Sequence, residues 1–182
     1  EFGPIGSHKL EDFPDPVATD DEVLIDVHAI GLNFPDTLML QGLYQTRPER
    51  PFVPGRDAAG VVASVGAGVT RFAPGDRVMA QVVHGAYGET LAAPEYRVFP
   101  MPASLDFVTA AGMITAYNTA YVAVVLRGTV GAGRTVLITG ASGGVGLAMV
   151  EVAKAVGATV LAGATSREKG DLAIAHGADH WI

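Results

Sequence analysis

The residues best suited to chemistry form one glycine-rich segment: Gly140, Ala141, Ser142, Gly143, Gly144, Val145 and Gly146. It lies between an apolar run and an amphipathic stretch. In such a setting the backbone can approach a diphosphate closely, and the helix N-terminus adds free N–H donors and the positive end of its dipole. Against the pattern G-x-G-x-x-G, Ala141 replaces the first glycine, whereas Gly143 and Gly146 are kept. The segment predicts a dinucleotide-binding turn; the alternative is a turn that binds nothing.

The residues after the next apolar run indicate which nucleotide is preferred. An NAD site usually places Asp or Glu about 20 residues beyond the first glycine, where it bonds the ribose 2′-hydroxyl. No carboxylate occurs between Leu161 and Lys169 except Glu168; the segment instead carries Thr165, Ser166, Arg167 and Lys169. Hydroxyl and cationic groups suit a 2′-phosphate, so the sequence predicts NADPH. The alternative is that the two cations are solvated first-turn residues of a helix, where the dipole mildly disfavours them.

Alternating strands and helices are expected to position both segments. Val136–Ile138 predicts a strand buried on both faces, Thr159–Ala164 a second strand, and Trp181-Ile182 the start of a third. Six apolar residues define one helical face: Val145, Ala148, Met149, Val152, Ala153 and Val156. Ser166 caps a second helix that ends near Gly177, and an earlier helix runs from a cap at 104–106 to Leu126. This order predicts a parallel βαβαβ unit, which is the first half of a Rossmann sheet.

The first hundred residues have a different pattern, made of short strands and Gly/Pro turns. Val23, Ile25 and Val27 alternate with other residues at the strand period. Further strands are predicted at 58–69 and 74–82. Together they predict a small antiparallel barrel or sandwich, and two domains, 1–103 and 104–182.

The composition excludes several classes of protein. Of 182 residues, 12 are basic and 19 acidic, and the net charge of −7 argues against nucleic acid or an anionic membrane as partner. The absence of cysteine excludes disulfides, cysteine-based zinc sites and thiol nucleophiles. Because no signal peptide and no uninterrupted apolar run of membrane-spanning length is visible, a protein of the cytoplasm is expected, with no membrane span.

The run at residues 31–80, the segment GASGGVG and Thr115-Ala116-Tyr117 resemble the medium-chain dehydrogenases/reductases. The likeness is greatest to their zinc-independent, zeta-crystallin-like quinone reductase branch. It implies an α/β chain in which a GroES-like β-barrel precedes the Rossmann part. It also implies NADPH as hydride donor and a quinone or activated enone as acceptor. The resemblance places Tyr44 and Asn33 as catalytic candidates and Thr115 among the cofactor-binding residues. The alternatives are a packing aromatic at Tyr44 and an ordinary turn residue at Asn33.

No metal site is expected. Zinc-dependent relatives carry a cysteine ligand where this chain has Asn33, and His-Glu where it has Arg56 and Asp57. A cation and a neutral amide suit zinc poorly. The five histidines, at 8, 28, 84, 176 and 180, show no paired ligand spacing.

The length is short for such an enzyme, because a full dinucleotide fold has six strands and this chain supplies three. A fragment of a longer chain is therefore expected, with weak nucleotide binding and little turnover by itself. Relatives are often homodimers. Two other functions fit the same motifs: an enoyl reductase domain of a polyketide-type synthase, and a non-catalytic, crystallin-like NADPH-binding protein.

Overall fold

The computed structural model describes residues 2–182, which divide into one compact unit ending at Thr115 and a second, Ala116–Ile182. The predicted domains, 1–103 and 104–182, stay a prediction. The first unit contains β1 (Glu22–Gly31), α1 (Phe34–Leu40), β2 (Asp57–Val65), β3 (Arg77–Gln81), β4 (Thr90–Pro94) and β5 (Val98–Pro100). Short 3-10 turns lie at Ile5–Ser7 and Glu95–Arg97. Helix α2 (Phe107–Tyr121) begins in this unit and continues as a π-helix, Val122–Arg127.

The strands of the first unit form one antiparallel sheet in the order β4-β1-β2-β3-β5, curled into a half-barrel. Alternation along β1 buries Val23 and Ile25, as its sequence pattern predicts. They pack with Val62 of β2 and Val78 of β3 in the core of this unit. The GroES-like architecture predicted for this half is confirmed.

The second unit contains β6 (Thr135–Thr139), α3 (Gly144–Ala155), β7 (Thr159–Gly163), α4 (Arg167–Ala175) and β8 (His180–Trp181). Its strands are parallel, in the order β6-β7-β8. Val160 and Ala162 of β7 are fully buried with Val150 of α3 and Ala173 of α4. The predicted βαβαβ unit is confirmed, and Ser166 is the N-cap of α4, as expected.

The prediction that β6 is buried on both faces is wrong. Ile138 is buried, but Leu137 is 53% exposed. Successive strand residues point to opposite faces. In the described part of the chain the core of this unit covers the Ile138 face and leaves that of Leu137 open. The predicted apolar face of α3 is wrong at one end. Val145, which was assigned to that face, is exposed, and Val150, which was not assigned to it, is buried.

The helix over Phe107–Arg127 is long and apolar enough to cross a membrane if length and composition alone are considered. Gly112, Thr115, Asn118 and Thr119 interrupt its run of apolar residues, and the helix continues through all four. Core helices of soluble proteins meet the same criterion, so this one is weak support for a membrane span.

Candidate functional site

The turn after β6 requires glycine at two positions, one because of its backbone conformation and one because of a close contact. Gly140 adopts φ +65°, a left-handed conformation that side chains disfavour. The Gly143 N–H donates to the Gly140 carbonyl oxygen at 3.0 Å and so closes the turn. A Cβ at position 146 would collide with that same carbonyl oxygen. The turn therefore brings the N-terminus of α3 directly against the end of β6.

The first turn of α3 presents unpaired backbone donors. Gly143 is the N-cap, and no side chain caps the helix. In residues 2–182, no acceptor outside the helix bonds the amides of Gly144, Val145 or Gly146. The first amides of a helix also lack partners inside it, and they lie at the positive end of its dipole. With Gly143 and Gly144 exposed, these donors fit the diphosphate of a dinucleotide. Ser142 lies half-buried beside them.

A backbone hydrogen bond joins this turn to the neighbouring strand. The Ala141 N–H donates to the Gly163 carbonyl oxygen at 3.3 Å, where β7 ends. Because β6 and β7 are parallel, both strands end at the same edge of the sheet. The glycine turn and the segment after β7 thus lie side by side.

The segment after β7 groups four predicted side chains around the N-terminus of α4. Ser166 Oγ accepts from the Lys169 backbone N–H at 3.4 Å, and Lys169 Nζ donates to Thr165 Oγ1 at 3.2 Å. Arg167 is exposed and makes no ion pair with any described residue. Two cations and two hydroxyls beside a helix N-terminus provide donors for a further phosphate group.

In the first unit, Asn33 and Thr115 meet on one buried carboxylate. Asn33 Nδ2 donates to Asp57 Oδ2 at 3.0 Å. Thr115 donates twice, from Oγ1 to Oδ1 at 2.6 Å and from its backbone N–H to Oδ2 at 3.2 Å. Gln81 Nε2 in turn donates to Thr115 Oγ1 at 2.7 Å. Asp57 is only 1% exposed, and burial raises the pKa of its carboxyl despite the donors from Thr115 and Asn33, with a further increase from Asp36.

A second buried carboxylate, Asp36, lies in α1. Its Oδ2 accepts from the Asn33 backbone N–H at 2.9 Å and from the Tyr87 hydroxyl at 2.8 Å. Its Oδ1 is buried and has no hydrogen-bond partner among the described residues. Burial, followed by the bond to Asp36, raises the pKa of Tyr87. Asn33 thus connects the two carboxylates, through its backbone to Asp36 and through its side chain to Asp57.

Sequence reasoning missed Asp36, Tyr87 and Gln81 and considered Asp57 only as a position lacking a zinc ligand. One local signal was available. Asp57 directly precedes the uncharged stretch Ala58–Val65, and a carboxylate at the start of such a strand needs hydrogen-bond donors or has a functional role. Asp36 and Tyr87 gave no comparable signal, because they lie far apart in the chain.

The other catalytic candidate, Tyr44, lies against Arg56. Its hydroxyl oxygen accepts from Arg56 Nη1 at 3.2 Å, and the guanidinium carbon is 5.6 Å from the ring centroid. The Arg56 Nε is buried without a partner in the described part of the chain. Because the guanidinium is a donor only, the phenolic proton of Tyr44 is not used in this bond.

The donor set around Asn33 does not fit zinc. The Asn33 side chain turns its N–H group, not a lone pair, toward Asp57. Arg56 contributes a permanent cation next to Asp57 in the sequence. Within residues 2–182, no three or more His, Asp or Glu side chains are grouped so as to hold a metal ion.

Comparisons with known proteins agree with this geometry. Residues 19–124 match the alcohol dehydrogenase GroES-like domain family. Quinone oxidoreductase of Homo sapiens is 39% identical over 98% of this chain, which covers 55% of that protein. A mycobacterial quinone oxidoreductase superposes with a TM-score of 0.93 at 34% identity, over 100% of this chain and 56% of that one. Quinone oxidoreductase of Escherichia coli, solved in complex with NADPH, superposes with a TM-score of 0.85 at 33% identity. The match covers 94% of this chain and 53% of that one.

The chain thus spans about half the length of the curated relatives that it matches. The family match extends over more than half of the chain, and the structural likeness extends through both units. The resemblance noted from the sequence is therefore confirmed. The chain belongs to the alcohol dehydrogenase GroES-like family, within the medium-chain dehydrogenase/reductase superfamily and alongside its quinone oxidoreductases.

Proposed function

We propose that the protein is an NADPH-dependent oxidoreductase that transfers hydride to a quinone or an activated enone, without zinc. It acts on a small-molecule acceptor as a soluble enzyme of the cytoplasm. The observation that carries this proposal is the pairing, at one sheet edge, of the glycine turn with the Thr165–Lys169 segment.

The glycine turn supplies the diphosphate site. The amides of Gly144, Val145 and Gly146 point along α3 toward its N-terminus, and no acidic residue occupies the first turn of that helix. Gly140, Ser142 and Gly143 form the adjoining wall. A dianionic diphosphate would gain several charge-assisted hydrogen bonds there without competing carboxylates.

The segment after β7 supplies selectivity for the 2′-phosphate. Lys169, Arg167, Ser166 and Thr165 are all exposed and able to turn toward an anion. An NAD-preferring site would present a carboxylate in this place instead. In support, the Escherichia coli quinone oxidoreductase was solved in complex with NADPH.

When bound, the reduced nicotinamide supplies the hydride, so the protein itself needs no redox group. We assign to Asn33, Tyr44 and Thr115 the task of holding the acceptor and the nicotinamide end in place. Asn33 and Thr115 are fixed by Asp57, and Tyr44 is fixed by Arg56 with its phenolic proton still available. That proton is suited to bond the oxyanion that develops on a reduced carbonyl.

The direct test measures oxidation of NADPH and of NADH by the full-length protein with a panel of quinones, enones and an enoyl thioester. We expect quinones to be reduced with NADPH preferred. Preference for the enoyl thioester would instead favour an enoyl reductase of synthase type. Binding of NADPH in a calorimeter without reduction of any acceptor would favour the non-catalytic alternative, and no binding of either nucleotide would refute the proposal.

A further inference from the structure

We propose that a cavity at the start of β3 binds a small organic anion, a carboxylate or a phosphate monoester with an apolar body. Arg71 and Arg77 hold the charged group of this ligand, and Phe72 and Met101 contact its apolar part. The cavity is a second ligand site in the first unit, and the proposal does not depend on the proposed function.

The cavity lies between the turn that precedes β3 and the segment that follows β5. Its volume is about 450 Å³, and its lining includes Arg71, Phe72, Asp76, Arg77, Met101 and Ala103. This volume is within the ordinary range of small-molecule sites, so the cavity can admit a ligand with a single ring.

The position of the cavity separates it from the Asn33, Asp57 and Thr115 contacts. Asp57 pairs in register with Gln81, the last residue of β3, whereas Arg77 is the first residue of that strand. At a rise of about 3.3 Å per residue, the two ends of β3 are about 13 Å apart. An occupant of the cavity is therefore a different ligand from the one that we place beside Asn33.

The first cation of the lining, Arg71, is held in place by neutral groups. It donates from Nη1 to the Glu95 carbonyl oxygen at 3.3 Å and from Nη2 to the Val98 carbonyl oxygen at 3.4 Å. Its guanidinium carbon lies 5.0 Å from the centroid of the Phe72 ring. Because a guanidinium has five N–H donors, these two bonds leave donors for a ligand.

The second cation, Arg77, is held in the same way. It donates from Nη1 to the Ala103 carbonyl oxygen at 3.3 Å and from Nη2 to the Leu105 carbonyl oxygen at 2.7 Å. Its guanidinium carbon lies 4.8 Å from the centroid of the Phe107 ring. Two guanidinium groups that are already fixed lose little side-chain entropy when an anion binds.

The charge of the lining favours an anion. Within residues 2–182, neither Arg71 nor Arg77 forms an ion pair with a carboxylate. Asp76 also lines the cavity, and its Oδ2 accepts a backbone N–H at 2.9 Å. Glu95 is outside the lining, and its Oε1 accepts two backbone N–H groups. Two cations and one carboxylate in the described lining leave it positive, although the whole chain has a net charge of −7.

The buried part of the lining is apolar and favours an organic anion. Phe72 is 9% exposed and Met101 is 7% exposed. Gly75 lies in the turn beside them with φ +95°, and a Cβ at this position would meet no described atom within 4 Å. The cavity is therefore open at Gly75, and a ligand that enters can remove its apolar surface from water against Phe72 and Met101.

A methyl NMR titration of the full-length protein, labelled at its methionine methyl groups, tests the site. The probes are benzoate, phenyl phosphate and, as the neutral counterpart of benzoate, benzyl alcohol. We expect the Met101 signal, assigned by its absence from Met101→Leu, to shift saturably with at least one aromatic anion. That anion should bind about 10-fold or more tightly than benzyl alcohol, because only an anion forms charge-assisted hydrogen bonds with both arginines. The signal of Met39, which is 1% exposed and outside the lining, should not move.

The anion that binds more tightly identifies the ligand as a carboxylate or a phosphate monoester. A Met101 signal that shifts with neither aromatic anion, or an equal affinity for benzyl alcohol, would overturn the inference.

Variants of the lining test which residues hold the anion. Arg71→Met and Arg77→Met should each weaken binding of the preferred anion about 10-fold or more. Arg47→Met, which changes an exposed arginine outside the lining, is the matched control and should bind normally. Because the two lining variants also lose bonds to the backbone, Ala103→Leu provides an independent test. It keeps both arginines and the carbonyl that Arg77 bonds, and its larger side chain should fill the cavity and prevent binding. Undiminished binding by Ala103→Leu, or by both arginine variants, would overturn the inference.

Discussion

Lys169 Nζ donates to Thr165 Oγ1 at 3.2 Å, within the segment after β7 that we propose binds a 2′-phosphate. We expect Lys169→Glu to weaken NADPH much more than NADH. A charge-assisted hydrogen bond is worth about 1.5–3 kcal/mol, which corresponds to roughly 10- to 100-fold in affinity. Calorimetric titration with both nucleotides measures the ratio. Lys9→Glu, an exposed lysine in the first unit, is the charge-matched control. Equal losses for both nucleotides would remove Lys169 from the site.

Substitutions in the glycine turn can distinguish an effect on stability from an effect on NADPH binding. Gly146→Ala should destabilise the protein by about 1–3 kcal/mol, because its Cβ meets the Gly140 carbonyl oxygen. At Gly144 an added Cβ meets no described atom within 4 Å, so Gly144→Ala should unfold at the same or a slightly higher denaturant concentration than the unmodified protein. It should nevertheless bind NADPH more weakly, because a methyl group at this exposed position would hinder the approach of a diphosphate to the amides of the turn. Gly131→Ala, which is equally open, is the control. Undiminished NADPH binding by Gly144→Ala would argue against a diphosphate at this turn.

Glu151 joins three helical segments of the second unit. It accepts a hydrogen bond from the Tyr117 hydroxyl, and its Oε1 is 2.6 Å from His176 Nδ1. Burial opposes its ionisation, but the Tyr117 and His176 bonds outweigh burial, so the pKa of Glu151 is lowered. A lowered carboxyl pKa stabilises the fold above the ordinary value of 4.5 and loses this contribution as the pH falls through the folded-state value. Burial and Glu151 also raise the pKa of Tyr117 to about 12.

We therefore expect Glu151→Gln to lower the thermal midpoint near neutral pH and to lose part of the acid dependence of stability. Because Glu151 is about one-third exposed, the loss should be modest. Tyr117→Phe should show part of the same effect. Thermal midpoints measured from neutral to acidic pH test this, and parallel curves for Glu151→Gln and the unmodified protein would contradict it.

Asp179 fastens β7 to the end of α3. Its Oδ2 accepts from the Val160 backbone N–H at 2.7 Å, and both oxygens lie 2.9 Å from Lys154 Nζ. The Val160 bond, and then the Lys154 bond, lower the pKa of Asp179. Asp179→Ala should therefore destabilise more than Lys154→Ala, because it removes the backbone acceptor as well as the ion pair. The contribution of the Asp179 carboxylate to the free energy of unfolding should decrease as the pH falls below 3.8, the ordinary pKa of an aspartate. Chemical denaturation of both variants decides the order; the reverse order would show that the ion pair dominates.

Metal removal should not affect the reaction. Since the amide of Asn33 donates to Asp57 and Arg56 adds a cation, prolonged dialysis against a chelator is expected to leave acceptor reduction unchanged. Activity before and after dialysis, with metal analysis of the protein, checks this expectation. Activity that disappears and returns with added zinc would contradict it.

The glycine turn was predictable because its requirements are local. Gly140, Gly143 and Gly146 lie within one strand–turn–helix segment, so their spacing alone indicates the backbone that they must form. The Ser166 cap and the alternating pattern of β1 were predictable for the same reason, because they also depend on residues that are close in the sequence. The resemblance of residues 31–80 and 140–146 supplied the rest of the architecture.

What the sequence by itself determined is the order of strands and helices, the glycine turn between β6 and α3 and the absence of cysteine chemistry, since each depends on the residue types or on residues that are neighbours in the chain. Only the tertiary structure decided that Tyr87 and Thr115 bond two buried carboxylates, Asp36 and Asp57, which Asn33 connects. Their partners lie up to 58 positions apart, and sheet pairing and helix docking bring them together. It also decided that Leu137 stays exposed while Val150 is buried, because burial depends on which faces meet when the strands and helices of the second unit pack.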